Sequence, residues 1–351
     1  MRKIVKRNLG GKEIFMGIDV HERTWRVSCF CEGEELENQE MPSEYKHMRR
    51  LLDRYKGFQI RAVYEAGPFG YPLHDRLKAD GVDIIVTPPS KIPMESGDRV
   101  KTDKRDARKL AHLLSCGLLK AVNVPDVRKR EDRELLRTRE QIVRHRRHTF
   151  QQILGKLRFH GMRTRFRAVI SKAKRSEILS YPGLNENMRF AFEELLNLYD
   201  FQTKQLQSFR RRVLALAESE GYRRGVDILR GIPGVGLITA ISWFLELPAM
   251  KDFESNEKLG SYLGLTPSEY SSGESQRQGR ITRCGNARVR ALLVQCAWKM
   301  LDGDKVMRQF YDRIKRRRGG KRAIVAVARK LGGRMRTVLL KNEPYQVGLF
   351  N

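Results

Sequence analysis

The sequence predicts an N-terminal α/β domain followed by mainly helical regions, and two observations lead to this fold class. The first is a series of short strand-like runs near the N-terminus, at 14–19, 25–31, 35–41, 59–64 and 82–87. The second is that helix-like segments lie between or after these runs, at 43–55, 69–80 and 102–114. Strands that come first and then alternate with helices are typical of a mixed sheet with helices packed on it.

Beyond residue 125 the apolar residues recur at helical spacing. Region 126–165 is long and very basic, and positions 192–216 follow alternating steps of three and four residues, the period of a coiled coil. Two antiparallel helices joined near 181–185 would form a protruding arm, and a plain helical bundle is the alternative. Shorter helical patterns follow at 236–246, 255–263, 286–301 and 321–340. We therefore expect an α/β domain at 12–125, a coiled-coil region at 126–222 and a mainly helical domain at 223–351.

The charge of the chain indicates a polyanionic partner. Among its 351 residues, Lys and Arg number 70 against 41 Asp and Glu, which gives a net charge of +29. Basic side chains that meet phosphates release condensed counterions, so this excess favours nucleic acid over the alternative of a membrane surface. No apolar run approaches the roughly 18 residues that a spanning helix needs. The N-terminus lacks the apolar centre of a signal peptide, so we expect a cytoplasmic protein that does not bind membranes.

Four carboxylates form the first candidate site. Asp19 and Glu65 each end an apolar strand, although acidic residues are depleted in strands. Asp103 and Asp106 lie three residues apart at the start of a predicted helix, so both project from one face. Four carboxylates at one edge of a sheet would repel one another unless cations neutralised them, and hard oxygen ligands suit Mg²⁺ or Mn²⁺. One or two such ions could clamp a scissile phosphate. The alternative is that the two helical Asp residues only complement the helix dipole.

Three further segments are candidates for nucleic-acid contact. The loop 88–101 contains Lys101, and the basic helix exposes a cluster of Arg144, Arg146 and Arg147. The third segment is GIPGVG at 231–236, which resembles a helix-hairpin-helix motif. A glycine-rich hairpin between two short helices would present backbone N–H groups, at Gly234 and Gly236, to a DNA phosphate. A tight structural turn is the alternative.

The segment 264–286 is the candidate for a second catalytic group. It places serines among arginines: Ser268, Ser271, Ser272, Ser275, Arg277, Arg280 and Arg283. A hydroxyl in these surroundings could attack a phosphodiester while guanidinium groups stabilise the developing charge. All seven His lie at or before His160, so a local Ser–His pair is absent. The alternative is a phosphate-binding loop whose serines only donate hydrogen bonds.

Several of these motifs together resemble one known family. GIDV at 17–20, YEAGPFGYPL at 64–73 and KTDKRDARKLAHLL at 101–114 resemble the RuvC-like DEDD domain of a class of bacterial insertion-sequence transposases. GIPGVGLITA at 231–240 and the stretch from LGLTPSEYSSGE to GRITRCGN resemble the C-terminal transposase domain of that class. Its members are serine-dependent DEDD transposases, recombinases guided by a bridge or seeker RNA that their own element encodes.

The resemblance implies an RNase H-like N-terminal fold, a coiled-coil arm and a composite active site in a homo-oligomer, from dimer to tetramer. The metal ligands of the family fall on Asp19, Glu65, Asp103 and Asp106. Its nucleophile, which forms a covalent phosphoserine with DNA, falls on Ser272, although Ser271 directly precedes it. The implied partners are donor DNA, target DNA and a guide non-coding RNA.

The residues alone leave two other functions open. An RNase H-like nuclease of the junction-resolvase type would use the carboxylates and a metal-activated water, without a covalent intermediate. A non-catalytic nucleic-acid-binding protein would use only the basic surface. The nuclease leaves the segment 264–286 without a role, and the binding protein leaves the carboxylates without one. The sequence therefore favours the recombinase.

Overall fold

The computed structural model describes residues 12–93, 102–162, 169–269 and 278–348. The chain divides between Val124 and Pro125 into two compact units. The first contains the predicted mixed sheet and the second is mainly helical, so the predicted fold class is confirmed at this level. None of the described helices has the length and apolarity that crossing a membrane requires.

A five-stranded sheet forms the centre of the first unit. Its strands are β1 (Glu13–Val20), β2 (Thr24–Cys31), β3 (Glu34–Pro42), β4 (Gln59–Glu65) and β5 (Asp83–Thr87). They lie in the order β3-β2-β1-β4-β5. The first three are antiparallel neighbours, whereas β4 runs parallel to β1 and β5 runs parallel to β4. The carboxyl ends of β1, β4 and β5 therefore meet at one edge of the sheet.

Helices cover both faces of this sheet. On one face, α1 (Tyr45–Arg54) and α2 (Pro72–Ala79) pack against the apolar side chains of β1 that include Ile14, Met16 and Ile18. On the other face lies α3 (Asp103–Ser115). Helix α2 begins three residues later than the predicted 69–80 because Pro72 occupies its first turn, where a missing N–H costs nothing.

Gly17 on β1 lets α3 approach the sheet closely. A Cβ atom at this position would lie 2.1 Å from the carbonyl oxygen of Ala107 and 2.4 Å from the amide nitrogen of Ala111. Both atoms belong to the backbone of α3, so neither can move without moving the helix. The absence of a side chain at Gly17 is therefore a condition for the position of α3.

The second unit begins with a pair of long helices. Helices α4 (Val127–Phe159) and α6 (Glu186–Ala217) run antiparallel, with the short α5 (Lys172–Leu179) between them in sequence. Along the pair, the rings of Phe150 on α4 and Tyr199 on α6 lie 6.2 Å apart. The side chains of Asp126, Ser171 and Asn185 cap the three helices by accepting hydrogen bonds from backbone N–H groups. Helix α4 ends at Phe159, six residues before the end of the predicted 126–165.

Six further α-helices lie in the described part of the second unit. They are α7 (Arg223–Arg230), α8 (Leu237–Glu246), α9 (Asn256–Tyr262), α10 (Ala287–Gly303), α11 (Lys305–Arg318) and α12 (Gly320–Lys341). Two short antiparallel strands, β6 (Pro267–Glu269) and β7 (Gln278–Ile281), lie between α9 and α10 in sequence. The sequence did not predict α5, α11 or this strand pair.

The core of the second unit includes the N-terminal part of α4 and the C-terminal part of α6. Leu136 of α4 and Val213 of α6 belong to the same buried cluster as Trp243, Leu293 and Leu331. At this junction Glu246 of α8, whose side chain is only 3% exposed, accepts hydrogen bonds of 3.0 and 3.1 Å from the guanidinium of Arg137. Asn286, at the start of α10, donates a third bond of 3.0 Å. One buried carboxylate thus joins α4, α8 and α10.

We expect Gly17→Ala to lower the free energy of unfolding of the first unit by about 3 kcal/mol, because the added methyl collides with helix backbone. Hydrogen exchange of the peptide 103–115 measures this, since a displaced α3 exchanges faster. Gly155→Ala in α4 is the matched control: its Cβ meets nothing within 4 Å, so it should be neutral or stabilising. Unchanged exchange in Gly17→Ala would contradict the close approach of α3.

Candidate functional site

Asp19 and Glu65 lie at the carboxyl ends of two adjacent parallel strands. Gly17 pairs with Val63 and Ile18 with Tyr64, so the next step of this register sets Asp19 beside Glu65. Side chains alternate along a strand, so Asp19 faces the same side as Gly17, which contacts α3. Glu65 likewise shares a face with Val63, which packs with α3. Both carboxylates therefore lie on the α3 face, as a converging site requires.

Helix α3 begins at this edge with the other two predicted carboxylates. Asp103 and Asp106 lie in its first turn, as the sequence predicts. Two of the described contacts hold this part of α3 against the sheet: the backbone approach at Gly17, and a hydrogen bond of 3.2 Å from the side-chain amide of Asn38 on β3 to the carbonyl oxygen of Lys104.

The structure brings His21, which the sequence did not predict as a ligand, into this site. Its Nε2 lies 3.1 Å from a carboxylate oxygen of Asp19 and 3.6 Å from one of Asp103. These three side chains offer ligand atoms that all lie within 4.8 Å of one another. In the sequence, His21 stands in the polar turn after β1. Its position two residues beyond Asp19 was the available signal.

Glu65 and Asp106 do not belong to this close group of three in the part of the chain that the structure describes. Asp106 nevertheless acts electrostatically on Asp19. Thr87, which pairs with Glu65 at the end of β5, is fully buried, and its hydroxyl has no hydrogen-bond partner among the described residues. Thr87 thus leaves a buried polar atom beside Glu65 that no described protein group satisfies.

The electrostatics of the site favour a bound cation. Burial raises the pKa of Asp19 above its ordinary value, and the negative charges of Asp103 and Asp106 raise it further. His21 opposes them but does not cancel them. A divalent ion would offset both the burial and the mutual repulsion of the carboxylates. The oxygen donors fit Mg²⁺ or Mn²⁺, and an imidazole donor suits Mn²⁺ better than Mg²⁺.

The predicted nucleic-acid contacts are only partly within the described residues. Arg144 and Arg147 are exposed on α4, whereas Arg146 is partly buried, with its guanidinium 5.8 Å from the ring centre of Tyr199. Arg280 and Arg283 are also exposed. Five predicted residues lie outside the described residues: Lys101, Ser271, Ser272, Ser275 and Arg277.

The glycine-rich hairpin lies between α7 and α8, as predicted. Gly234 has a positive φ of 84°, and a Cβ there would lie 2.6 Å from the carbonyl oxygen of Cys296 on α10. Gly234 thus lies in a tight turn, the alternative that the sequence left open, and it also packs against α10, which the sequence did not indicate. Gly236 is exposed and directly precedes α8, with no side chain capping the helix among the described residues. Phosphate binding by this hairpin stays a prediction.

Comparison with known proteins identifies relatives across most of the chain. A model for the transposase IS116/IS110/IS902 family matches residues 226–312, and one for the DEDD transposase domain of the IS110 type matches residues 16–162. The putative transposase y4qE of Sinorhizobium fredii is 34% identical over 82% of this chain and 72% of its own length. The transposase for insertion sequence element IS1533 of Leptospira borgpetersenii is 26% identical, over 92% of this chain and 95% of its own length. The transposase for IS1111A of Coxiella burnetii is 26% identical over 71% and 69%.

We expect Asp19→Asn to weaken Mn²⁺ binding at least about tenfold, because it removes the charge of the most buried carboxylate in the group. Calorimetric titration measures the affinity. His21→Ala should remove nitrogen hyperfine coupling from the electron paramagnetic resonance spectrum of bound Mn²⁺. Asp53→Asn, at an exposed position of α1, is the matched control and should bind as the wild type does. Equal affinities for Asp19→Asn and Asp53→Asn would refute a metal site at Asp19.

Proposed function

Because the chain belongs to the IS116/IS110/IS902 family of transposases, we propose that it cuts and rejoins DNA with a metal-bound carboxylate cluster and a serine nucleophile, guided by an RNA. Membership of this family makes it an enzyme of DNA transposition. The order β3-β2-β1-β4-β5, with three antiparallel strands followed by two parallel ones, supports the RNase H-like interpretation of the first unit. The antiparallel pairing of α4 and α6 likewise supports the coiled-coil arm.

One observation carries the proposal: the predicted carboxylates share one face at one edge of the sheet. Asp19 and Glu65 face α3 from the ends of adjacent strands, and α3 presents Asp103 and Asp106 in its first turn. These residues, with His21, would hold one or two divalent ions. A cation bound there supplies charge neutralisation at the scissile phosphate. The carboxylates fix its place and, in the attack, take the proton of the nucleophilic hydroxyl.

Ser272 is the proposed nucleophile. Its Oγ would attack the phosphorus, forming a phosphoserine ester, while the bond to one DNA oxygen breaks. That oxygen takes up the proton that the carboxylates accepted from the serine and leaves as a free hydroxyl. Attack by a DNA hydroxyl on the phosphoserine reverses the step and regenerates the serine. One ester is exchanged for another, so rejoining needs no ATP. The resemblance further supports a composite site, in which the carboxylates of one subunit act with the serine of another, and hence a dimer or tetramer.

Guidance by RNA is supported by the net charge of +29 and by the exposed arginines of α4, such as Arg144 and Arg147. We expect a discrete non-coding RNA, encoded beside the gene, to copurify with the protein expressed from its complete element. Sequencing of the copurified nucleic acid measures this. A random sample of cellular RNA would contradict guidance and leave the transposase assignment intact.

We expect Ser272→Ala to fold and to bind nucleic acid and Mn²⁺, but to form no covalent adduct with DNA, because the hydroxyl that bonds to phosphorus is gone. Wild-type protein trapped on nicked suicide DNA and then denatured should show the adduct by mass. Ser275→Ala is the matched control, since it removes a hydroxyl three residues away and should keep the adduct.

An adduct that maps to Ser271 would change the residue and keep the mechanism. Cleavage by Ser272→Ala at the wild-type rate, with no adduct in either protein, would support the metal-dependent nuclease instead. Asp19→Asn should abolish cleavage in every case, since both mechanisms depend on the carboxylates.

A further inference from the structure

A cavity of about 770 Å³ lies within the second unit, between α4, α6 and the beginning of α8. Its volume falls in the range of roughly 300–1,000 Å³ that is typical of ligand pockets. Much of its wall is aliphatic: Val143, Leu206, Leu214, Leu237 and Ile238. Four arginines also line it: Arg139, Arg146, Arg210 and Arg230. No carboxylate is among its described lining residues, so the cavity combines an apolar surface with cationic side chains only.

Arg139 is the clearest sign of this imbalance. Its Nε is buried and has no hydrogen-bond partner within the described parts of the chain. Burial and the neighbouring charge of Arg146 both lower its pKa. Earlier on the same helix, Arg137 forms two hydrogen bonds with Glu246, and Arg133 donates to the carbonyl oxygen of Leu245. Arg133 and Arg137 thus have structural partners, whereas the buried Nε of the partly buried Arg139 has none among the described residues, which costs stability unless a ligand accepts from it.

The start of α8 adds hydrogen-bond donors to the same cavity. Residues 236–239 line it, and no described side chain caps the helix at Gly236. The first N–H groups of a helix lack partners within the helix, and the helix dipole gives them partial positive charge. With the arginines, this end of α8 favours a phosphate group.

We propose that this cavity binds an unpaired nucleotide of RNA, with its phosphate at Arg139, Arg146 and the start of α8 and its base against the aliphatic wall. A base in a duplex is stacked and paired and cannot enter such a cavity, whereas loops and bulges of RNA present unpaired bases. The inference rests on the proposed function, in which the folded guide RNA presents unpaired bases in its own loops, whereas DNA exposes them only where its strands are separated. It assigns the cavity to the RNA.

The test compares binding to three probes of mixed sequence: single-stranded RNA of about 12 nucleotides, the same length of single-stranded DNA, and duplex DNA. The variant Arg139→Met with Arg210→Met removes two charges from the cavity. We expect it to lose about tenfold in affinity for the RNA, but less than about twofold for the duplex. The slope of RNA affinity against salt concentration, both on logarithmic scales, should also become shallower, by about 0.7 for each phosphate that the variant no longer neutralises.

Arg144→Met with Arg147→Met is the matched control. It removes the same charge from exposed positions of α4 that do not line the cavity, so it should weaken RNA and duplex binding to the same degree. Val143→Phe fills the cavity without changing the charge and should also reduce RNA binding. Because the Nε of Arg139 has no partner among the described residues, Arg139→Met alone should leave the midpoint of thermal unfolding unchanged or raise it.

Three results would overturn the inference: unchanged RNA affinity in the cavity variant, an equal loss for RNA and duplex, or a loss confined to single-stranded DNA. In each case the proposed function would stand if the variant still formed the covalent adduct with DNA. Absence of that adduct in the wild-type protein would instead count against the proposed function. The two failures are therefore distinguishable.

Discussion

The contact between Gly17 and α3 is the constraint on which the carboxylate site depends. At this point a helix backbone lies so close to β1 that no side chain fits between them. The start of α3 is therefore fixed relative to the end of β1, two residues beyond Gly17. Asp19 lies there, and α3 presents Asp103 and Asp106 to the same region. The carboxylates proposed to hold ions are thus positioned by backbone packing rather than by flexible side chains.

Among the described carboxylates, Glu246, Asp304 and Asp19 are partly or fully buried, and the direction of the pKa shift differs between them. Burial would raise the pKa of Glu246, but hydrogen bonds from Arg137 and Asn286 and the charge of Arg133 outweigh it, so the pKa is lowered. Asp304, fully buried at the start of α11, follows the same pattern: Tyr345, the N–H of Met307 and Arg334 together lower its pKa.

Asp19 is the opposite case, because burial and its acidic neighbours prevail and its pKa is raised. The sign of the shift separates carboxylates that the fold itself neutralises from one that a ligand would neutralise.

The sequence could predict the mixed sheet, both strand-end carboxylates and the helix that carries Asp103 and Asp106, because these depend on local periodicity and on the depletion of acids in strands. It could not predict that His21 lies beside Asp19 and Asp103, since a polar turn after a strand is ordinary until its direction in space is known. The close packing of Gly17 and Gly234 was equally hidden, because it involves backbones distant in sequence. The strands β6 and β7, with three and four residues, are too short to show alternation. Ser272, between them in sequence, remains a prediction.

The ion pair between Glu246 and Arg137 limits which segments related proteins of this architecture could exchange with one another. Consider a chimaera joined between residues 222 and 223. It would take α4 with Arg137 from one parent and α8 with Glu246 from the other, so the two partners of this ion pair would come from different proteins. It would also split the apolar cluster that Leu136 and Val213 share with the later helices. A crossover between Val124 and Pro125 keeps these partners together. Chimaeras of relatives that exchange the whole second unit should therefore keep this packing. Chimaeras that exchange only the helices from α7 onward should lose it.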